Sequence, residues 1–255
     1  MRLGQNFLRD PNLLDAIVRD AELVPGECVL EVGVGEGPLT ERLARVAGTV
    51  HAIELDRALE PRLASVAGLP GVELIFGDAL EVDLSGLDPA PTAMVSNLPY
   101  SVAVPVVMRT VAELPELRRW TVMVQREIAD RLVAGPGSRT YGAPSAILQR
   151  AAEVRLVRKV GREVFRPRPR VDSAVIGIER TGPAPSADYV ALVRAAFSHR
   201  RKTFARSVET ARPGTLEPVR AALSAEGLDE SVRAEDVSPE EFGRLADRIG
   251  LLPGE

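Results

Sequence analysis

Residues 28–32, Cys28-Val29-Leu30-Glu31-Val32, form a near-continuous apolar run that breaks at once into Gly33-Val34-Gly35-Glu36-Gly37. A short apolar run bounded by turn residues reads as a strand buried on both faces. The glycines supply a loop whose backbone can approach a ligand closely. The pattern recurs: residues 49–53, 72–76, 92–96 and 120–124 read as further strands. Helical apolar spacing follows them over 39–46, 58–66, 102–114 and 127–133, and a helix over 12–22, with Asp10 as its cap, precedes the first strand. Apolar strands alternating with helices predict a mostly parallel sheet covered on both faces.

The pattern changes after residue 134. Gly135-Pro136-Gly137-Ser138 reads as a loop and 144–152 as a helix. Two late strands, 154–160 and 173–179, flank a proline-rich crossover, Phe165-Arg166-Pro167-Arg168-Pro169-Arg170. Thr181-Gly182-Pro183-Ala184-Pro185 reads as a linker. Beyond it 187–198, 201–210, 216–226 and 239–250 read as helices. The expected fold is therefore a seven-stranded, mostly parallel α/β sheet over residues 1–181 and a small all-helical domain over 182–255. No run approaches the roughly 18 to 20 apolar residues that span a bilayer, and Met1 to Asn6 shows no apolar signal core. A cytoplasmic protein without membrane contact is expected. A single cysteine excludes an intrachain disulfide, and Cys28 is expected to be buried and inert. Cys28, His51 and His199 are scattered, so no metal site is expected.

In an open α/β sheet the ligand binds beyond the carboxyl ends of the strands, where strand order reverses. The residues just past each run therefore carry the functional argument. Gly33, Gly35 and Gly37 follow the first strand. Glu54 ends the second, and an acid there can accept from both ribose hydroxyls. Asp78 follows the third and can accept from an adenine amino group. The glycine loop alone fits a dinucleotide enzyme equally well. The end of the fourth strand discriminates. Asn97-Leu98-Pro99-Tyr100 brings together an amide, a proline-constrained carbonyl and an aromatic ring. Asn97 Oδ1 and the carbonyl of Leu98 or Pro99 can both accept from an exocyclic amino group, and Tyr100 can stack on the ring that bears it. A hydride-transfer enzyme gives these four residues no role. Together the strand ends point to methyl transfer onto an adenine amino nitrogen.

With these motifs in place, the chain resembles the KsgA/RsmA family of rRNA adenine dimethyltransferases. The resemblance rests on Leu3-Gly4-Gln5-Asn6-Phe7-Leu8, Val29 through Gly37, Glu54-Leu55-Asp56, Gly77-Asp78-Ala79 and Asn97-Leu98-Pro99-Tyr100. It extends to Gln125-Arg126-Glu127-Ile128-Ala129, Pro136 through Gly142, Phe165 through Ala174, and Arg200-Arg201-Lys202-Thr203. It implies a Rossmann-like class I methyltransferase sheet with a helical C-terminal domain that contributes to rRNA binding. It implies S-adenosyl-L-methionine as methyl donor, held by Asn6, Leu8, Gly33, Gly35, Glu54, Leu55, Asp78, Ala79 and Asn97. The catalytic set it implies is Asn97, Leu98, Pro99 and Tyr100, with Phe165 as a second stacking face. The implied partner is small-subunit (16S) rRNA in a 30S ribosomal particle, dimethylated at adjacent adenosines near its 3′ end, with the enzyme a monomer. Related macrolide-resistance methylases of large-subunit rRNA carry Ile where Leu98 stands and lack the Pro-Gly-Ser…Tyr-Gly segment, so Leu98 and 136–142 favour the small-subunit type. Val34, Ser101 through Val104 and Phe204-Ala205-Arg206 depart from the family pattern. A third reading is a ribosome-assembly factor whose methylation is secondary.

Charge asymmetry bears on the partner. From Arg118 to Arg206 there are 19 Lys+Arg against 7 Asp+Glu, a local balance of +12 in a chain of net charge −4. Such an excess marks either a polyanion-binding face or a solvated arginine-rich surface. Candidates for phosphate contact are Arg158, Lys159, Arg162, Arg166, Arg168, Arg170, Arg200, Arg201 and Lys202.

Overall fold

The structure, a computed structural model, describes residues 6–250. Leu3, Gly4 and Gln5 of the N-terminal motif lie outside the described residues. The elements run β1 (Phe7–Leu8), α1 (Pro11–Asp20), β2 (Cys28–Val32), α2 (Thr40–Leu43), β3 (Thr49–Glu54), α3 (Glu60–Ala67) and β4 (Val72–Phe76). They continue with β5 (Ala93–Asn97), α4 (Ala103–Glu113), β6 (Arg119–Gln125), α5 (Arg126–Val133), α6 (Ala143–Gln149), β7 (Ala152–Val160), β8 (Phe165–Arg166) and β9 (Ser173–Arg180). The last four are α7 (Ala187–Phe197), α8 (Phe204–Ala211), α9 (Leu216–Ala225) and α10 (Pro239–Ile249). Asp10 caps α1 as expected, its carboxylate accepting from Leu13 N–H at 2.8 Å.

Seven strands form one sheet in the order β4-β3-β2-β5-β6-β9-β7. β4, β3, β2, β5 and β6 pair in parallel, and β9 runs antiparallel to β6. All five residues of β2 are buried, which is why its sequence shows no alternation. Chain order reverses beside β2: the path goes outward to β3 and β4, then returns to β5 on its other side. The ladder between β2 and β5 covers Val29–Ala93 and Leu30–Met94. Past it the Ser96 hydroxyl, buried, accepts from Val32 N–H at 2.9 Å. A side chain thus replaces the backbone ladder where the crevice begins. A second, two-stranded sheet pairs β1 with β8, Leu8 facing Phe165.

The chain divides into two compact units, residues 1–129 with 153–180, and residues 130–152 with 181–255. The first has a core that includes Ile17, Val29, Leu43, Val50, Leu63, Val95 and Phe165. The second has its own, built on Tyr141, Tyr189, Leu192, Phe204, Leu223 and Phe242. The division departs from the expected boundary at 181/182 in one respect: residues 130–152 group with the C-terminal helices. The reason is visible at Tyr141. Its ring packs edge-on to Phe197 at 5.8 Å, and its hydroxyl donates to the Val237 carbonyl at 3.1 Å. Tyr189 O–H likewise donates to the Ala146 carbonyl at 2.9 Å. Cys28 is buried, its thiol donating to the Pro89 carbonyl at 3.2 Å, and burial pushes its pKa up to about 11.

Candidate active site

The carboxyl ends of β2, β3, β4 and β5 surround a cavity of about 400 Å³. Gly33, Gly35, Glu54, Leu55, Asp78, Ala79 and all of Asn97-Leu98-Pro99-Tyr100 line it, as do Asn6 and Leu8 from the N-terminal segment. The four strand ends read separately along the sequence therefore meet in one place.

Backbone conformation shows why glycine stands where it does. Gly33 has φ +82°, and a Cβ there would lie 2.9 Å from Pro99 Cδ. The loop after β2 and the proline after β5 thus pack against each other with no room for a side chain. Gly35 has φ +62°, and a Cβ there would meet Phe7 at 3.2 Å. Glu54, buried, joins two loops: Oε2 accepts from Gly35 N–H at 2.8 Å and Oε1 from Asp56 N–H at 2.9 Å. Each oxygen keeps a further lone pair for a ligand. Asp78 Oδ1 accepts from Leu80 N–H at 2.8 Å.

In the segment after β5, Leu98 N–H donates to the Met123 carbonyl and Val102 N–H to the Pro99 carbonyl, both at 3.1 Å. The Pro99 carbonyl is thus engaged in a turn, which favours the Leu98 carbonyl as partner to Asn97 Oδ1. The Asn97 side chain has no internal hydrogen bond among the described residues. Tyr100, half-buried, sits with its hydroxyl 2.7 Å from Ser173 Oγ. Burial pushes its phenol pKa up, opposed by the bond to Ser173, so it remains protonated at neutral pH.

Phe165 is not brought to the cavity. It is completely buried in the core and does not line the site, so its ring offers no face to a base there. The pairing of Leu8 with Phe165 explains this: the crossover is folded inward as β8. The basic candidates also divide. Arg158 makes a bidentate ion pair with Asp20 at 2.9–3.1 Å. Arg200 donates to the carbonyls of Arg139 and Tyr141 and to Glu235 at 3.0–3.2 Å. Arg166 donates to the carbonyls of Glu163 and Phe165, Arg162 to that of Arg170, and Lys202 to Thr210 Oγ1. Lys159, Arg168, Arg170 and Arg201 are exposed, with no internal partner among the described residues.

Two further residues shape the site. Glu31 lines the cavity at 1% exposure. Burial pushes its carboxyl up to about 8, with the Thr40 hydroxyl opposing and the Glu54 charge adding. Neither Glu31 Oε2 nor Thr40 Oγ1 makes a hydrogen bond of normal geometry. The signal was present in the sequence: an acid inside the apolar run of β2 cannot be buried without a partner or a ligand. Arg109 on α4 donates to the carbonyls of Ala79 at 2.8 Å and Val82 at 2.9 Å, holding the loop that carries Asp78. Nothing in its sequence neighbourhood marks it.

The orphaned Glu31 oxygen suits a ligand cation, Glu54 a pair of hydroxyls, and Asp78 a heterocycle's amino group. That donor set fits S-adenosylmethionine. Comparison with known proteins agrees with this chemistry. A family model described as ribosomal RNA adenine dimethylase matches residues 1–250. The chain is 45% identical to a ribosomal RNA small subunit methyltransferase A from Kineococcus radiotolerans, covering 96% of this chain and 84% of that one. It is 43% identical to the same-named protein of Streptomyces coelicolor, covering 96% and 88%. Among solved structures, a 23S rRNA methyltransferase, ErmE, superposes with TM-score 0.70 at 30% identity, covering 96% of this chain and 99% of that one. A dimethyladenosine transferase from Plasmodium falciparum shares the fold, with TM-score 0.76 at 21% identity over 94% and 95% of the two chains. A match along the whole sheet and its strand-end motifs leaves one assignment: this chain is a methyltransferase enzyme belonging to the ribosomal RNA adenine dimethylase family.

Proposed function

We propose that the chain transfers methyl groups from S-adenosylmethionine to the N6 amino group of adjacent adenosines near the 3′ end of small-subunit rRNA, giving N6,N6-dimethyladenosine during assembly of the 30S particle. The observation that carries this is the convergence of Asn97-Leu98-Pro99-Tyr100 with Gly33, Glu54 and Asp78 on one cavity. The curated small-subunit relatives at 42–45% identity support the substrate.

When bound, S-adenosylmethionine supplies an electrophilic sulfonium methyl. Glu31, Glu54, Asp78 and the backbone of Gly33 and Gly35 hold the donor, with Asn6, Leu8, Leu55 and Ala79 around it. Asn97 Oδ1 and the Leu98 carbonyl accept from the two N6 protons and draw the nitrogen toward tetrahedral geometry, which frees its lone pair. No strong base is needed, because the nitrogen becomes acidic as it is alkylated. Catalysis is then mainly positioning, a term that reaches roughly 7–11 kcal/mol at best. Tyr100 stacks on the base, which must be turned out of its RNA to enter. Ser101, exposed at the rim, is small enough to admit the monomethyl product, whereas Ala103, the first residue of α4, is buried and does not line the cavity. The helical unit adds RNA contacts, and the enzyme works as a cytoplasmic monomer without a metal.

The test is methyl transfer from labelled donor to purified small and large subunits that lack the modification. Dimethyladenosine is expected in the small subunit alone. Asn97→Ala is expected to lower the rate roughly 10²-fold, as loss of one transition-state hydrogen bond does elsewhere, with donor binding retained. The 30% identity to the 23S methyltransferase favours a second reading, and label in the large subunit alone would establish it.

A further inference from the structure

The segment Val171-Asp172-Ser173-Ala174 has no role in the site as described, yet its third residue touches the machinery. Ser173 opens β9, is buried, and faces Gln125 across the antiparallel ladder with β6. The chain after β5 reaches it in two steps. Leu98 N–H bonds to the Met123 carbonyl on β6, and the turn at Pro99 carries Tyr100 past β6 toward β9. There the phenol oxygen lies 2.7 Å from Ser173 Oγ. The neighbouring Asp172 carbonyl accepts from Arg126 N–H at 3.0 Å, which pins the start of β9 to the end of β6. The Tyr100 ring is thus held at both ends, by its backbone turn and by a hydroxyl on a strand two positions away in the sheet.

We propose that Ser173 is a positioning residue for the target base: it sets the orientation of the Tyr100 ring on which the adenine stacks. The inference rests on the proposed function for its substrate, although the contact itself is independent of it. A ring tethered only at Cα sweeps through χ1 and χ2, and a stacking face must keep one orientation to hold the amino group against Asn97. Ser173 does not touch the base. Among the described residues the Ser173 hydroxyl has no other hydrogen-bond partner than this phenol, so its removal should act through Tyr100 alone.

The chain has three tyrosines, Tyr100, Tyr141 and Tyr189. Protein labelled with [ζ-13C]tyrosine should show three Cζ resonances, and Tyr100→Phe identifies the one from Tyr100. Ser173→Ala should move that resonance and leave the other two. An unmoved Tyr100 signal would overturn the proposal, whatever the enzyme's substrate. In methyl transfer to undermethylated small subunits, Ser173→Ala should lower kcat/KM roughly three- to tenfold, the usual scale for one hydrogen bond. Tyr100→Phe should do the same, and the double variant should fall no further, because both remove the same contact. Ser173→Thr, which keeps the hydroxyl, should restore most of the rate. Additive losses, failure of the threonine variant to rescue, or a matching loss of S-adenosylmethionine affinity by calorimetry would each mean a general packing role and overturn the inference. Wild-type protein that transfers no methyl group to small subunits would instead refute the proposed function, and the resonance would still decide the contact.

Discussion

Replacing Glu31 by Gln gives the sharpest test of how this cavity is built. The carboxyl is buried, and burial raises its pKa from 4.5 to about 8. The folded protein then binds this proton more tightly than the unfolded chain does. Glu31 therefore contributes stability that is fully present below about pH 4.5 and is lost as pH rises through about 8. Each pKa unit corresponds to about 1.36 kcal/mol, so the shift sets a ceiling of about 5 kcal/mol. Water entering the cavity would solvate the carboxylate and lower the figure to roughly 2–3 kcal/mol. Urea denaturation without ligand, at a series of pH values from about 5 to 9, should show wild-type stability falling relative to Glu31→Gln by that amount. A difference that does not change with pH would refute the reasoning. A cationic ligand stabilises the charged form, so binding of S-adenosylmethionine near pH 7 should release up to about 0.9 proton. That release appears as a buffer-dependent binding enthalpy, absent in Glu31→Gln.

Three other outcomes follow from contacts in the same unit. Gly33→Ala forces a side chain onto φ +82° and against Pro99; it should cost about 1–2 kcal/mol in strain and lower methyl transfer more than it lowers the melting temperature, as activity and calorimetry will show. Arg109→Met frees the Ala79 and Val82 carbonyls; two charge-assisted hydrogen bonds are worth about 1.5–3 kcal/mol each at most, and the loosened Asp78 loop should raise the dissociation constant for the donor several-fold by calorimetry. Arg168→Gln and Arg170→Gln should each reduce the slope of log K against log salt for RNA by about 0.7–1, whereas Arg158→Gln, which unpairs Asp20, should lower stability and change the slope less.

Much of the fold is legible in residue order because parallel strands buried on both faces must be apolar throughout, and helices between them must repeat every 3.6 residues. Those patterns are local. Each of the seven strands lies within two residues of its expected position at either end. The helix expected over 39–46 shrinks to Thr40–Leu43, because the chain turns there into β3, with Gly48 N–H bonding back to the Glu27 carbonyl. The β1–β8 ribbon left no signal, since strands of two residues have no periodicity and their partners lie more than 150 positions apart. That ribbon is also what draws Phe165 into the core and away from the base.

The sequence by itself determined the sheet, the glycine loop, the acids at the strand ends and the amide, proline and tyrosine that follow β5. These are chemical types at positions set by a short-range repeat. Only the tertiary structure decided which of them meet and which are already engaged. Arg158 and Arg200 are read from the sequence as candidates for phosphate contact, yet they are bound to Asp20 and Glu235, at separations of 138 and 35 residues. The same long-range closure brings Ser173 to Tyr100 and Arg109 to the Asp78 loop. A hydrogen bond depends on where two groups lie in space, and in this sheet, whose strand order differs from chain order, sequence distance carries almost no information about that.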